Sequence, residues 1–289
     1  MTERAANQAM LTLVVGTGYL GRRVVERIPA GTVVGLSRSA DATLPMLETH
    51  DLDAGGPLPL TLPGQFRVLY TVPPAAAADG DPRLERLLER LDPPPAAFVY
   101  ISTTGVYGDR GGAGVDESAA VRPATDRARR RVAADSLLAA WCRDRGTRLV
   151  VLRAPGIYGP GRLGTDRLRA GEPVVREADA GPGNRIHVDD LASCCLAALD
   201  NEKAEGIFNV GDGDHRSATW FATEVARQAG LPTPPAISMA EAEQSFSAMR
   251  LSFLRESRRI ATTRMRTELG VAPRYADAAD GIRASLAAE

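Results

Sequence analysis

Apolar residues alternate along this chain between short runs and helical spacing. Leu11 to Val15 is a compact run that stops at Gly16 and passes through GTGYLG into RRVVERI, which reads as strand, tight turn and helix. A second run, Thr32 to Leu36, follows the turn signal Pro29-Ala30-Gly31, and a third, Arg67 to Val72, ends at Pro73-Pro74. Leucines at 84, 87, 88 and 91 keep helical period until Pro93-Pro94-Pro95 closes the segment ahead of a strand over Phe98 to Ser102. From Thr125 to Arg145 the helical pattern returns through Val132, Leu137, Leu138 and Trp141, and Gly146 ends it before the strand Arg148 to Leu152. Strands alternating with helices predict an α/β fold with a doubly wound parallel sheet. Beyond Pro155 the pattern loosens into Gly- and Pro-rich connections, with a helix from about Asp189 to Leu199 and a strand over Ile207 to Val210. We expect one domain over 10–160, completed by about 185–212, and a smaller mixed domain from 161–184 and 213–289. Ala75 to Ala78 and the proline clusters read as loops, and no internal repeat or long linker separates the two parts.

At roughly 150 residues per domain, 289 residues allow two modest domains or one large α/β unit. Hydrophobic residues at 44% and charged residues at 25% exclude disorder as the dominant state. Thirty-five basic residues against 36 acidic ones leave a net charge of -1, so no global field draws the chain to nucleic acid or an anionic membrane. A small-molecule partner is expected instead. The basic residues are arginines apart from Lys203, which excludes a catalytic lysine anywhere else. Cys142, Cys194 and Cys195 are too few and badly spaced for a disulfide framework or zinc site, and His50, His187 and His215 lack ligand spacing. The cysteine usage, with no apolar stretch of membrane-spanning length and no leader pattern at the N-terminus, makes the expected location cytoplasmic.

The first turn carries the sharpest chemistry. In G-x-G-x-x-G between a strand and a helix, Gly16 permits the turn, Gly18 lets the backbone approach a pyrophosphate, and Gly21 lets the helix pack closely. The arrangement predicts a Rossmann dinucleotide site. At the end of the second strand an acidic residue would bond a ribose 2′-OH, whereas an arginine would meet a 2′-phosphate. This chain has Ser37-Arg38-Ser39 there, with Asp41 further along, which favours NADP over NAD.

With these residues the chain resembles the extended short-chain dehydrogenase/reductase superfamily, the NAD-dependent epimerase/dehydratase group, and within it the atypical NADP-binding members. The resemblance runs nearly end to end, through GTGYLG, Asp51-Leu52, STTGVYG (Ser102 to Gly108), RAPGIYGPGR (Arg153 to Arg162), RIHVDDLA (Arg185 to Ala192), IFNVGDG (Ile207 to Gly213) and RRIATTRMRTELGVAPRY (Arg258 to Tyr275). It implies a Rossmann domain and a smaller C-terminal domain closing over a sugar nucleotide or another small carbonyl or alcohol. It also implies a homodimer through a helix pair. The cofactor contacts it implies are Gly16, Gly18, Tyr19, Leu20, Gly21, Ser37, Arg38, Asp51, Leu52, Thr71, Pro73, Ser102, Arg131, Pro155, Ile157 and Tyr158.

The same resemblance exposes a departure. The family carries a tyrosine that moves the proton and, four residues on, a lysine that bonds the nicotinamide ribose. Counting back from Asp135 puts Arg131 at the lysine position and Arg127 at the tyrosine position. No shift of register restores the motif, because no tyrosine lies between Tyr107 and Tyr158. Arg131 can keep the positive charge, but a guanidinium with a pKa above ~12 cannot shuttle protons. Thr103, four residues before Tyr107, keeps the position of the family's oxygen-polarising hydroxyl. The candidate catalytic set is therefore Thr103, Arg131 and Tyr107, with Tyr158, His187, Asp116 and Glu117 as further proton donors to weigh. His187 reads better as a crossover residue, Cys194 and Cys195 as packed core, and the run Asp126 to Arg131 as a solvated helix face. Two functions stand against each other: an NADP-dependent oxidoreductase or epimerase/dehydratase-like enzyme with a degenerate site, and a non-catalytic NADP(H)-binding sensor or scaffold.

Overall fold

The computed structural model describes residues 10–44, 46–75 and 80–289. Ala76 to Ala78 of the expected loop, and the first nine residues of the N-terminus, lie outside the described residues. Seven strands form the central sheet: β1 (Leu11–Val15), β2 (Val33–Ser37), β3 (Leu47–Thr49), β4 (Phe66–Tyr70), β5 (Ala97–Thr103), β6 (Arg148–Ala154) and β7 (Gly206–Asn209). Their spatial order is β7-β6-β5-β4-β1-β2-β3, and each neighbouring pair is parallel. The order reverses between β1 and β4, so their C-terminal ends open a crevice where α/β sheets bind ligands.

Alternation along each strand feeds two cores. Val14, Leu69, Val99 and Leu152 face the helix α4 (Val188–Asp200), whose Leu191, Cys194 and Cys195 are fully buried. Leu13, Val68, Phe98 and Tyr100 face the opposite layer, where α2 (Pro82–Leu88) supplies Leu84 and Leu87 and α3 (Asp126–Arg145) supplies Leu138. A leucine taken fully out of water contributes about 1.5–3 kcal/mol. Helix ends follow local chemistry: Asp81 and Thr125 accept from the backbone amides of Leu84 and Ala128, and Gly146 takes a left-handed conformation with φ 66° after α3.

Some boundaries depart from the sequence reading. The first helix, α1, covers only Gly21–Val25; Glu26 keeps helical dihedrals, and the amides of Arg27 and Ile28 bond three residues back, a tighter turn that ends ahead of Pro29. β4 stops at Tyr70, freeing Thr71 and Val72 to border the crevice. The edge strand β3 was not expected, since Leu-Glu-Thr has no apolar run and its residues are half-buried or exposed. Beyond β6, Gly156–Tyr158 pairs in parallel with Arg185–His187 outside the main sheet. Helices α5 (Ala218–Gln228) and α8 (Ala278–Leu286) pack there around Tyr158, Leu163, Leu168 and Ile282, with α6 (Met239–Ser245) and α7 (Ala248–Arg255) between them in sequence. Among the described residues no helix is long and apolar enough to cross a membrane.

Candidate functional site

The crevice is a groove of about 580 Å³. It begins at the turn after β1. Gly16 sits at φ +92°, and a Cβ there would lie 2.7 Å from Thr71 Oγ1, whose hydroxyl donates to the Gly16 carbonyl at 2.6 Å. A Cβ on Gly21 would lie 1.9 Å from the Gly16 oxygen, so a side chain there would collide with the turn itself. At Gly18 an added Cβ would meet nothing within 4 Å, which leaves bare backbone facing the groove. Tyr19, Leu20, Ser37, Arg38, Asp51, Leu52, Thr71, Pro73, Arg131 and Ile157 also border it. Sequence reasoning missed His50, Arg83 and Arg162, which line the same space. Nothing in their local patterns marks them, because each reaches the groove through tertiary packing.

At the β2 end, Arg38 forms no hydrogen bond or ion pair among the described residues, whereas the nearby acids are committed. Asp41 takes Arg22 at 2.9 Å and the Thr43 hydroxyl and amide, which hold its carboxyl below the usual range. Asp53 takes Arg83, with the same effect on its pKa. Neither acid borders the groove.

Thr103 terminates β5 near Arg131, and its Oγ1 accepts from the Gly105 amide at 3.1 Å while its own proton has no acceptor among the described residues. Arg131 projects from α3 and donates to the Ile101 carbonyl and the Tyr100 hydroxyl, both at 2.8 Å. Arg127, one turn earlier, turns away and lies over the Phe253 ring with 4.3 Å to its centroid. Six expected residues are not among those lining the groove: Gly21, packed behind the turn, Thr103, at the end of β5, and four more. Tyr107 is fully buried, with its hydroxyl donating to Asn209 Oδ1 at 2.8 Å and Arg153 above its ring. Ser102 is buried at the strand end, and Pro155 turns toward Gly211. Tyr158 packs its ring edge-on to His187 and Phe221 and its hydroxyl against Gly281, and burial pushes its pKa far above the ordinary value. Of the hydroxyls among these four, that of Tyr107 is engaged by Asn209, whereas those of Ser102 and Tyr158 are buried without a partner among the described residues. Of the further proton donors, Asp116 binds the Ser118 hydroxyl and amide, and Glu117 accepts the Asn209 amide.

A second cavity of about 630 Å³ adjoins the groove, sharing Ile157 and Arg162 with it. The segment 156–175, the Arg185 strand with the residues just before it, α5, Phe246 and α7 line the rest. His187 caps α4 by accepting the Asp189 amide and contacts Ser285 of α8 at 3.2 Å, and burial lowers its pKa. It therefore links the N-terminus of α4 to α8. Among the described residues no group of three or more His, Cys, Asp or Glu side chains could hold a metal ion.

Comparison with known proteins adds the following. The profile of the NAD dependent epimerase/dehydratase family matches residues 83–211. A 3-diazoavenalumate denitrifying reductase from a Streptomyces species is 33% identical over 139 residues, covering 46% of this chain and 45% of that one. The chain spans about half the length of the first curated relatives it matches. A conserved protein of unknown function from Silicibacter pomeroyi superposes with a TM-score of 0.82 at 30% identity, over 96% of this chain and 99% of its own. MoeE5 in complex with UDP-glucose and NAD superposes at 0.75 with 19% identity, over 96% and 97% of the two chains, a likeness of fold.

Proposed function

Because the chain belongs to the NAD-dependent epimerase/dehydratase family, we propose that its groove binds NADP and that it acts as an oxidoreductase or epimerase/dehydratase-like enzyme on a small carbonyl, alcohol or sugar-nucleotide substrate in the adjoining cavity. One observation carries this reading: the glycine turn, Arg38 and Arg131 border a single groove that meets the second cavity at Ile157 and Arg162. The glycine turn fits a dinucleotide, since the open face of Gly18 leaves room for a pyrophosphate against backbone amides. When bound, the dinucleotide supplies hydride transfer. Ser37 and Arg38 hold a 2′-phosphate, and Arg131 holds the nicotinamide ribose while tying α3 to the end of β5. Thr103 offers its uncommitted proton to a substrate oxygen.

The test is titration of NADPH and NADH by nicotinamide fluorescence. Charge-assisted hydrogen bonds are worth about 1.5–3 kcal/mol, so Arg38→Ala weakens NADPH by roughly 10- to 150-fold and leaves NADH nearly unchanged. An unaltered NADPH affinity overturns the assignment. A second reading, a non-catalytic NADP(H) sensor, is favoured by the burial of Tyr107 and Tyr158, which leaves the family's proton-moving hydroxyl without a substitute from either. General acid–base help is typically worth about 10²–10⁴-fold. Stopped-flow oxidation of NADPH with aldehydes, ketones and sugar nucleotides separates the two: turnover that collapses in Thr103→Val supports the enzyme, and tight binding without turnover supports the sensor.

A further inference from the structure

The second cavity has an unusual division of its polar groups. Its neutral polar side chains are already engaged within the fold. Asn184 donates to the Arg258 carbonyl at 2.8 Å and accepts the Ile260 amide at 2.9 Å, and Thr219 donates to the Val175 carbonyl at 2.6 Å. The Tyr158 hydroxyl lies against Gly281, away from the lining, so its ring is what the cavity meets. That hydroxyl has no partner but is buried, so among the described lining residues no amide or hydroxyl side chain is both free and open to read the many hydroxyls of a sugar or the edge of a base.

The cationic groups differ. Arg250 pairs with Glu172 at 3.2 Å and lies over Phe246, 3.5 Å from its centroid. Arg167 stands close enough for its charge, after burial, to push the Arg250 pKa below its ordinary value, yet among the described residues it has no ion-pair or hydrogen-bond partner. Two guanidinium groups share one carboxylate, which leaves a single positive charge at this end. Arg185, also in the lining, is committed to Asp214 and the Ser217 carbonyl. The remaining wall is apolar. Phe221 and Leu254 line it, and Phe253, 60% exposed, presents an aromatic face at its edge.

Resting on the reading of the groove as a dinucleotide site, we infer that the second cavity takes an apolar aromatic monocarboxylate, held by Arg167 and Arg250 at its charged end and by Phe246, Phe253 and Leu254 along its body. At the Glu172 end, apart from Arg162 where the two cavities meet, one net positive charge matches a carboxylate, and a guanidinium presents paired donors to its two oxygens. An aromatic body covers apolar surface of Phe253 that the Arg127 guanidinium leaves exposed, and needs none of the hydroxyl-reading groups that the cavity lacks. The opposite end of the ligand then points to Ile157 and Arg162, where the two cavities meet.

The test is calorimetry near neutral pH with trans-cinnamate, methyl cinnamate and UDP-glucose as probes, each with and without saturating NADP⁺. Cinnamate is expected to bind at least about tenfold tighter than its uncharged ester and than UDP-glucose. Arg167→Gln lowers cinnamate affinity by about tenfold and leaves the ester unchanged, while Phe253→Ala weakens both. Equal binding of acid and ester, tighter binding of UDP-glucose, or no heat from cinnamate in either condition overturns the inference. NADPH binding, followed separately by fluorescence in the same proteins, keeps the outcomes distinct: its loss would sink the groove assignment, whereas its retention without cinnamate binding removes only the substrate class.

Discussion

Asp212 offers a measurement of the joint between the central sheet and the second lobe. It lies just beyond β7, 2% exposed, with its amide donating to the Arg185 carbonyl at 2.9 Å. One carboxyl oxygen accepts the Asp214 amide at 2.9 Å and the other has no partner. Burial lifts its pKa from 3.8 to about 7 against the pull of that amide and of Arg185, and the charges of Asp214 and Asp190 add to the rise. A folded-state pKa above the unfolded value means that the native chain holds the proton more tightly. The stability this contributes is therefore present at low pH and lost as pH rises through about 7. For a carboxyl moved by this amount, the linkage relation gives a loss of about 2 kcal/mol between roughly pH 5.5 and pH 8.5. Asp212→Asn keeps the shape of the protonated acid and cannot ionise. Urea unfolding followed by the fluorescence of Trp141 and Trp220 at the two pH values should show the native protein losing about 2 kcal/mol more than the variant. Parallel profiles for the two proteins would refute the reasoning, because every other titrating group is common to both.

The glycine turn predicts a contrast between two identical substitutions. Gly21→Ala places a methyl 1.9 Å from the Gly16 oxygen and should cost about 3 kcal/mol or more of stability in urea, whereas Gly18→Ala, with nothing within 4 Å, should leave the melting temperature nearly unchanged while lowering NADPH affinity by at least about tenfold. Arg153 and Asp135 form a buried pair at 3.3 Å with side chains 6% and 12% exposed, so Arg153→Met should destabilise by about 3 kcal/mol through the carboxylate left behind. A loss below about 1 kcal/mol would show that the pair is dispensable.

The parts legible in the sequence were those fixed by local rules. The strands from Leu11, Val33, Ala97 and Arg148 are apolar runs between turn signals, and α3 announces both ends through Thr125 and Gly146. The turn at Gly16 to Gly21 was legible for the same reason, since backbone geometry there demands particular residues. The burial of Tyr107 and Tyr158 was not legible, because a motif gives a position along the chain but not the direction of the side chain. Tyr107 lies only four residues beyond Thr103, yet a single turn of 3₁₀-helix carries its hydroxyl away to Asn209. Arg83, Arg162 and the second cavity were invisible for a different reason. Their neighbours come from segments far apart in sequence, and in a chain with 35 basic residues no single arginine stands out.

Arg127 and Arg131, which the sequence reading puts at the family's tyrosine and lysine positions, point in different directions, and under the proposed reading the difference limits the chemistry. Arg127 is turned outward onto Phe253, so that position supplies nothing to the groove. Arg131 is turned inward, and by spending one nitrogen on the Ile101 carbonyl and the Tyr100 hydroxyl it fixes the rest of its guanidinium at the groove wall. Under the proposed reading helix α3 offers the groove a cation for positioning and no proton-moving group, because a guanidinium holds its proton too tightly to shuttle it. Thr103 can donate a hydrogen bond to a developing negative charge, but its hydroxyl is not acidic enough to surrender the proton on its own. Under the proposed reading, the substrates best served are those that delocalise the charge left by hydride addition over their own conjugated framework and take a proton from water afterwards. A simple ketone, whose alkoxide needs its proton within the transition state, should react more slowly by about the 10²–10⁴-fold that acid–base catalysis contributes. Comparing an unsaturated carbonyl with its saturated counterpart in single-turnover NADPH oxidation measures that gap, and equal rates would mean that another group has taken over the proton.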